Sequence, residues 1–124
     1  MHRYEQLELW TRGCALSVRT YRATRAAALG TDRSMAWQMR RAAASIPANV
    51  AEGATRGGVA EFAHFLAIAA ASAAALHTHA VVAGQVGAVE LAEAAAIAAE
   101  ATFLRRMAVA LRARVRRPAA EHGS

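Results

Sequence analysis

The sequence reads as all-α, a single up-down-up-down antiparallel four-helix bundle. Three observations lead there. Only two prolines and eight glycines occur in 124 residues, and β-branched and aromatic residues are too sparse and too poorly alternated for a sheet. Breaks fall at 30–32, 53–58 and 84–87, cutting the chain into four segments of similar length. Within each segment apolar residues recur at helical spacing. The chain is 56% hydrophobic, much of it alanine, which favours helix but buries little area per residue, so close helix approach replaces a bulky core. At this length one domain with one core is expected.

The bundle is assigned to 1–117, with helices at roughly 5–29, 32–53, 59–83 and 88–116, and 118–124 as a disordered tail after Pro118. Connections this short leave consecutive helices antiparallel neighbours. In the first, Leu7, Trp10, Cys14, Val18 and Tyr21 form the expected buried stripe, with Arg12 and Arg19 on the opposite side. The second opens at Asp32 as amino-terminal cap and places Met35, Met39, Ala42, Ile46 and Val50 on one face. Trp37, Arg41, Ala44 and Ala48 line its other face. Trp37 is either a second contact, to another subunit, or a partly exposed ring shielded by Arg41. Pro47 removes the amide that would bond back to Ala43, so a bend is expected there, with the helix resuming through Asn49 and Glu52.

The third helix carries Phe62, Phe65, Leu66, Ala69, Ala73, Leu76 and Ala80 on one face. The fourth buries Ile97, Leu104, Ala108, Leu111 and Val115. Its Arg105, Arg112 and Arg116 form one exposed row and Arg106 with Arg117 another.

Charge is unevenly placed. The formal +6 comes from fifteen arginines, with no lysine, against nine acids. Residues 1–58 net +5, residues 59–100 net −4, and residues 101–117 carry six arginines and no acid. Such segregation creates a field that polyanions feel, whereas arginine on solvated faces is the plain alternative. The single cysteine, Cys14, rules out an internal disulfide and reads as a small buried apolar residue; a cytoplasmic setting and no amino-terminal signal are expected. The uncharged stretch 62–89 contains His64, Ser72, His77, Thr78, His79 and Gln85 and gains little from lipid, so it reads as a core helix rather than a membrane span.

Catalytic chemistry is not nominated. His77 and His79, two apart on a helix, point to nearly opposite sides and cannot share a metal; they read as polar filler or a partner contact. His64 reads as a packed, hydrogen-bonded imidazole. The glycine-rich run over 53–58 lacks the Gly-Lys-Ser/Thr ending and preceding strand of a phosphate loop and reads as an interhelical turn. No carboxylate pair or nucleophile constellation stands out, so no enzyme activity, cofactor or metal is expected.

The run over 38–53, Gln-Met-Arg-Arg-Ala-Ala-Ala-Ser-Ile-Pro-Ala-Asn-Val-Ala-Glu-Gly, resembles the signature of the four-helix-bundle proteins first described from intervening sequences of bacterial 23S ribosomal RNA genes. That family also includes the accessory variability determinant of diversity-generating retroelements. Tyr4, Glu5, Leu7, Leu9, Trp10, Arg56, Glu61, Phe62, Phe65, Leu66, Ile68, Ala69, Ser72, Leu76 and Thr78 extend the resemblance across roughly 4–80. It implies a homopentameric barrel with a basic surface and no known enzymatic activity. In retroelement members it implies a partner of the reverse transcriptase and its template RNA. The matching cations are Arg40, Arg41 and Arg56, with ion pairing of Arg40 and Arg41 to Glu52 or a neighbouring subunit as the other reading. Departures lie at 71–77, Ala-Ser-Ala-Ala-Ala-Leu-His, which lacks two acidic positions usual in the family, at Gly58, where a capping serine is usual, and at Trp37.

Taken together, the sequence points to a non-enzymatic, basic, homo-oligomeric protein that binds RNA or DNA through Arg12, Arg19, Arg40, Arg41, Arg56, Arg105, Arg112 and Arg116. The competing class is a structural scaffold that binds a protein partner without nucleic acid.

Overall fold

A computed structural model describes residues 3–117, and every regular element among them is helical. After a 3₁₀ turn at Tyr4–Gln6 come α1 (Glu8–Ala23), a short α2 (Arg25–Ala28), α3 (Arg33–Arg56), α4 (Val59–Gln85) and α5 (Leu91–Val115). α1 packs on α3 and α5, and α4 packs on α3 and α5; among the described residues no Cα atoms of the diagonal pairs come within 8 Å. Cross-helix pairs give the directions. Gly13 faces Pro47 and Ser45 bonds Ser72. Ala63 accepts from Arg112, whereas His77 meets Ala98 further along, and Arg12 and Arg19 meet Glu100 and Glu93 in that order. Numbers rise on one helix as they fall on its neighbour at each seam, so the four long helices run up-down-up-down.

The core is small-residue packing around a few large side chains. Met39, Ile46, Leu66, Leu76, Ile97 and Leu104 are wholly buried, interleaved with buried Ala43, Ala69, Ala73, Ala80 and Ala101. Gly53 takes this furthest: a Cβ there would stand 2.7 Å from Phe65 Cβ, so α3 and α4 meet backbone to side chain. Gly53 is therefore inside a helix, and the turn expected over 53–58 shrinks to Gly57 and Gly58. Gly57 takes the left-handed conformation, φ 89°, that ends α3. α4 ends on Gly87, φ 79°, with Ala88 N–H bonded to Ala83 O at 2.9 Å and Gly87 N–H to Gly84 O at 3.3 Å, the paired bonds of a Schellman cap.

The α4 and α5 faces lie as the periodicity places them except that Phe65, Leu111 and Val115 are half-buried, and on α3 Met39, Ile46 and Val50 are buried while Met35 and Ala42 are half-buried. α3 runs unbroken through Pro47, whose ring is buried against α1. α1 differs. Its buried positions are Leu9, Gly13, Leu16 and Thr20, whereas Val18 is 49% and Tyr21 47% exposed and Leu7, Trp10 and Cys14 are half-buried. The stripe is turned toward Gly13, where a Cβ would stand 3.2 Å from the Pro47 ring, so α1 seats on α3 at a residue that hydrophobicity ignores. Nor is the first segment one helix. The hydroxyls of buried Thr20 and Thr24 donate to Leu16 O and Thr20 O, and the chain breaks at Thr24, φ −102° and ψ 8°, before α2.

Asp32 precedes α3 but makes no side-chain cap bond, because its ψ of 18° is not the extended backbone of a capping residue. Glu90 caps α5 instead, accepting from Ala92 and Glu93 N–H. His64 is exposed, with its ring edge-on to Phe65 and no hydrogen bond among the described residues. α4 is long and apolar enough to cross a bilayer, with a mean hydropathy of 1.7 over its most apolar window. In this fold it packs on two neighbours. Pro118 and the expected tail lie outside the described residues.

Candidate nucleic-acid interface

The eight arginines singled out by sequence divide into two groups. Arg12, half-buried, and Arg19, exposed, do not form an open basic back: both are paired with carboxylates of α5. Arg12 donates from Nε and from a terminal nitrogen to both oxygens of Glu100, at 2.9 and 2.8 Å, and reaches Glu8 at 3.3 Å. Its guanidinium also lies 4.2 Å from the centre of the Phe103 ring. Arg19 grips Glu93 with two bonds of 2.6 and 2.9 Å. These forked pairs are the geometry in which arginine meets a carboxylate best. They raise the pKa of both arginines, Glu100 being the main cause for Arg12 and Glu93 for Arg19, and the Arg19 bonds hold Glu93 below the usual carboxylate range.

Arg56 bonds Glu52 at 2.7 Å and lies 3.6 Å from Glu61, which joins α3 to the first turn of α4. Glu52 is thereby taken, and no ion pair to it from Arg40 or Arg41 forms. Arg40 instead closes the α1 to α3 seam. It donates to Thr24 Oγ1 at 2.8 Å and Tyr21 O at 3.1 Å, with its guanidinium 4.5 Å from the Tyr21 ring centre. Arg12, Arg19, Arg40 and Arg56 are thus bound within the chain.

The second group is open. Arg41 is exposed, and among the described residues its one polar or ring contact is with the Trp37 ring, 4.9 Å away. On α5, Arg106 and Arg116 are exposed and Arg105 half-buried, and none of the three has a hydrogen bond, ion pair or ring contact among the described residues. The expected row is interrupted at Arg112, which is half-buried and donates from Nε to Ala63 O at 3.1 Å. Exposed Arg114, absent from the sequence-derived set, is equally unpaired; its place in the acid-free run 101–117 was the signal for it. Arg112 and Arg116 flank a groove of 560 Å³ walled by Val59, Ala60, Ala63 and Ala67 of α4, with His64 at its edge. In the last turn of α5, Arg112 and Arg114 also lie near the partial negative charge of the helix carbonyl end.

Among the described residues no three potential metal ligands converge. Cys14 lies half-buried between α1 and α3, and burial pushes its thiol pKa up, which makes it a poor nucleophile at neutral pH.

The family model described as 23S rRNA-intervening sequence protein matches residues 5–110. The chain belongs to that family. The match spans α1 to α5, so the resemblance carried by residues 38–53 extends to the fourth long helix, where only the apolar pattern was recognisable in the sequence. A comparison with curated proteins found no match. In this 23S rRNA-intervening sequence protein the arginine pair at 40 and 41 is turned apart, Arg40 inward to α1 and Arg41 outward over Trp37.

Proposed function

We propose that the protein is a non-enzymatic, cytoplasmic, homo-oligomeric factor that binds RNA or DNA through arginine contacts to phosphate. The observation that carries this reading is the carboxyl-terminal part of α5. Arg105, Arg106, Arg114 and Arg116 lie in a run without acids and have no partner among the described residues, whereas Arg12, Arg19 and Arg56 are neutralised by carboxylates. Guanidinium groups left without carboxylates are available to a polyanion, and phosphate contacts of this kind give affinity without sequence preference. A protein partner fits the same scheme. By family resemblance the candidate is a reverse transcriptase, with this protein as its accessory subunit and the template RNA as shared ligand.

Salt-dependent binding tests the reading. Each phosphate contact contributes a slope of about 0.9 for duplex DNA and about 0.7 for single strands in log affinity against log salt. The variant R105Q/R106Q/R114Q/R116Q should lose affinity at low salt and lower the slope by about three to four, while R12Q/R19Q should leave the slope unchanged. An unaltered slope in the quadruple variant would reject α5 as the contact surface.

A second reading rests on a different surface. Trp10, Cys14 and Val18 of α1, with Ala44, Pro47 and Ala48 of α3, line an uncharged outer face, the composition of an interface core. A protein scaffold without nucleic acid would use it. Retention of a protein partner at 1 M salt, a concentration at which the Debye length falls to about 3 Å, with no nucleic acid bound at low salt, would favour that reading.

A further inference from the structure

We propose that the outer groove between α3 and α4 beside Trp37 is a stacking site for an unpaired nucleobase, with Arg33 and Arg41 meeting the flanking phosphates. The proposal rests on the nucleic-acid reading and adds to it a site, a strand type and a contact other than phosphate. Trp37 is 59% exposed. A lone exposed apolar residue needs no explanation, but this ring does not stand alone. Arg33, Trp37 and Arg41 are spaced four apart and share one face of α3, which sets the ring between two cations over a rise of about 12 Å. Arg33 has no partner among the described residues, and Arg41 has only the ring.

No carboxylate pairs with them among the described residues. Asp32 directly precedes Arg33, and beyond it the chain has no acid at 33–51 or at 62–89. The groove, of 460 Å³, is lined besides Trp37 and Arg41 by Gln38, Ser45, Ser72 and His79. Ser45 and Ser72 bond each other at 2.7 Å, while the Gln38 amide and His79 ring make no hydrogen bond among the described residues. An aromatic plate, unopposed cations and free donors and acceptors for a base edge form the combination that single-stranded nucleic acid uses. A second copy of the chain is the poorer occupant. Interface cores are depleted of charge, and the uncharged face around Trp10 and Val18 meets that condition while the Trp37 groove does not.

The test uses the full chain with Trp10 replaced, W10F, so that Trp37 is the one tryptophan reporting. Oligouridine should quench its fluorescence, and a duplex of equal length should not. W37A should weaken binding of the single strand by about five- to a hundredfold with its salt slope kept, since stacking is not screened. R41Q should lower that slope by about 0.7. Duplex affinity should be unmoved by W37A. Unchanged single-strand affinity in W37A, an equal loss for duplex, or a change in sedimentation with binding intact would each overturn the proposal, the last by assigning the ring to subunit contact. If W37A is neutral while the α5 quadruple variant still loses binding, the stacking site fails and the phosphate reading stands. If the unaltered protein binds neither strand form, both fall.

Discussion

Gly53 and Gly58 are five residues apart and bear on stability in opposite directions. Alanine at 53 would gain about 1 kcal/mol of helix propensity. Its Cβ would also stand 2.7 Å from Phe65 Cβ and 3.1 Å from Phe62 Cδ1, and relieving that overlap means moving α4, at about 1–3 kcal/mol for an overpacked core. Steric conflict with the Phe65 Cβ offsets or outweighs propensity, so G53A should lower the urea midpoint by an amount worth up to about 2 kcal/mol, and should not raise it, with the slope unchanged. Gly58 has room, its nearest neighbour being Glu61 Cγ at 3.8 Å, and its extended backbone, φ −108° and ψ 150°, suits an amino-terminal cap that it lacks the side chain to make. With Glu61 three residues on, serine there would complete a capping box. G58S should therefore raise stability by about 0.5–1 kcal/mol, and no gain in the same urea titration would mean that α4 needs no cap.

Helices differ in how much of their packing their own sequence declares. α4 and α5 were legible because Phe62, Leu66, Ala69, Ala73 and Leu76 on the first and Ile97, Ala101, Leu104 and Ala108 on the second repeat at three and four and are all buried. α1 was not, because its inward face is Leu9, Gly13, Leu16 and Thr20. Two of these contribute by being small or by satisfying their own hydroxyl, properties that a hydrophobic count discards, while Trp10, Val18 and Tyr21 drew the stripe to the outer face. L16A and V18A separate the two faces: the first should cost about 2–5 kcal/mol and the second under about 0.5, measured by thermal or urea unfolding. Equal costs would return the outer stripe to the core. The candidate site was legible in part for a related reason. An acid-free run is visible along the chain, but the partners of Arg12 and Arg19 lie 88 and 74 residues away, so only the fold distinguishes bound cations from open ones.

For the molecule as a whole, those same ion pairs tie net charge to stability. Glu93 is held below its ordinary pKa by the Arg19 hydrogen bonds, so between the folded and unfolded values the unfolded chain binds the extra proton. The sign follows: this contribution is fully present above the ordinary glutamate range, about 4.3, and is lost as pH falls through the lower folded value. In acid the fifteen arginines lose carboxylate charge to set against them, and self-repulsion grows. α1 is exposed to both effects, because two forked pairs, Arg12 to Glu100 and Arg19 to Glu93, join it to α5. Stability should be flat above about pH 5 and fall below about pH 4, with amide exchange in α1 rising before that in α4. E93Q should remove part of the acid limb while costing no more than about 1 kcal/mol at pH 7, since Arg19 and Glu93 are both partly solvated. An acid limb identical in E93Q, or α4 amides exchanging before those of α1, would show that low pH acts through charge on the whole surface and not through the seam that closes the bundle.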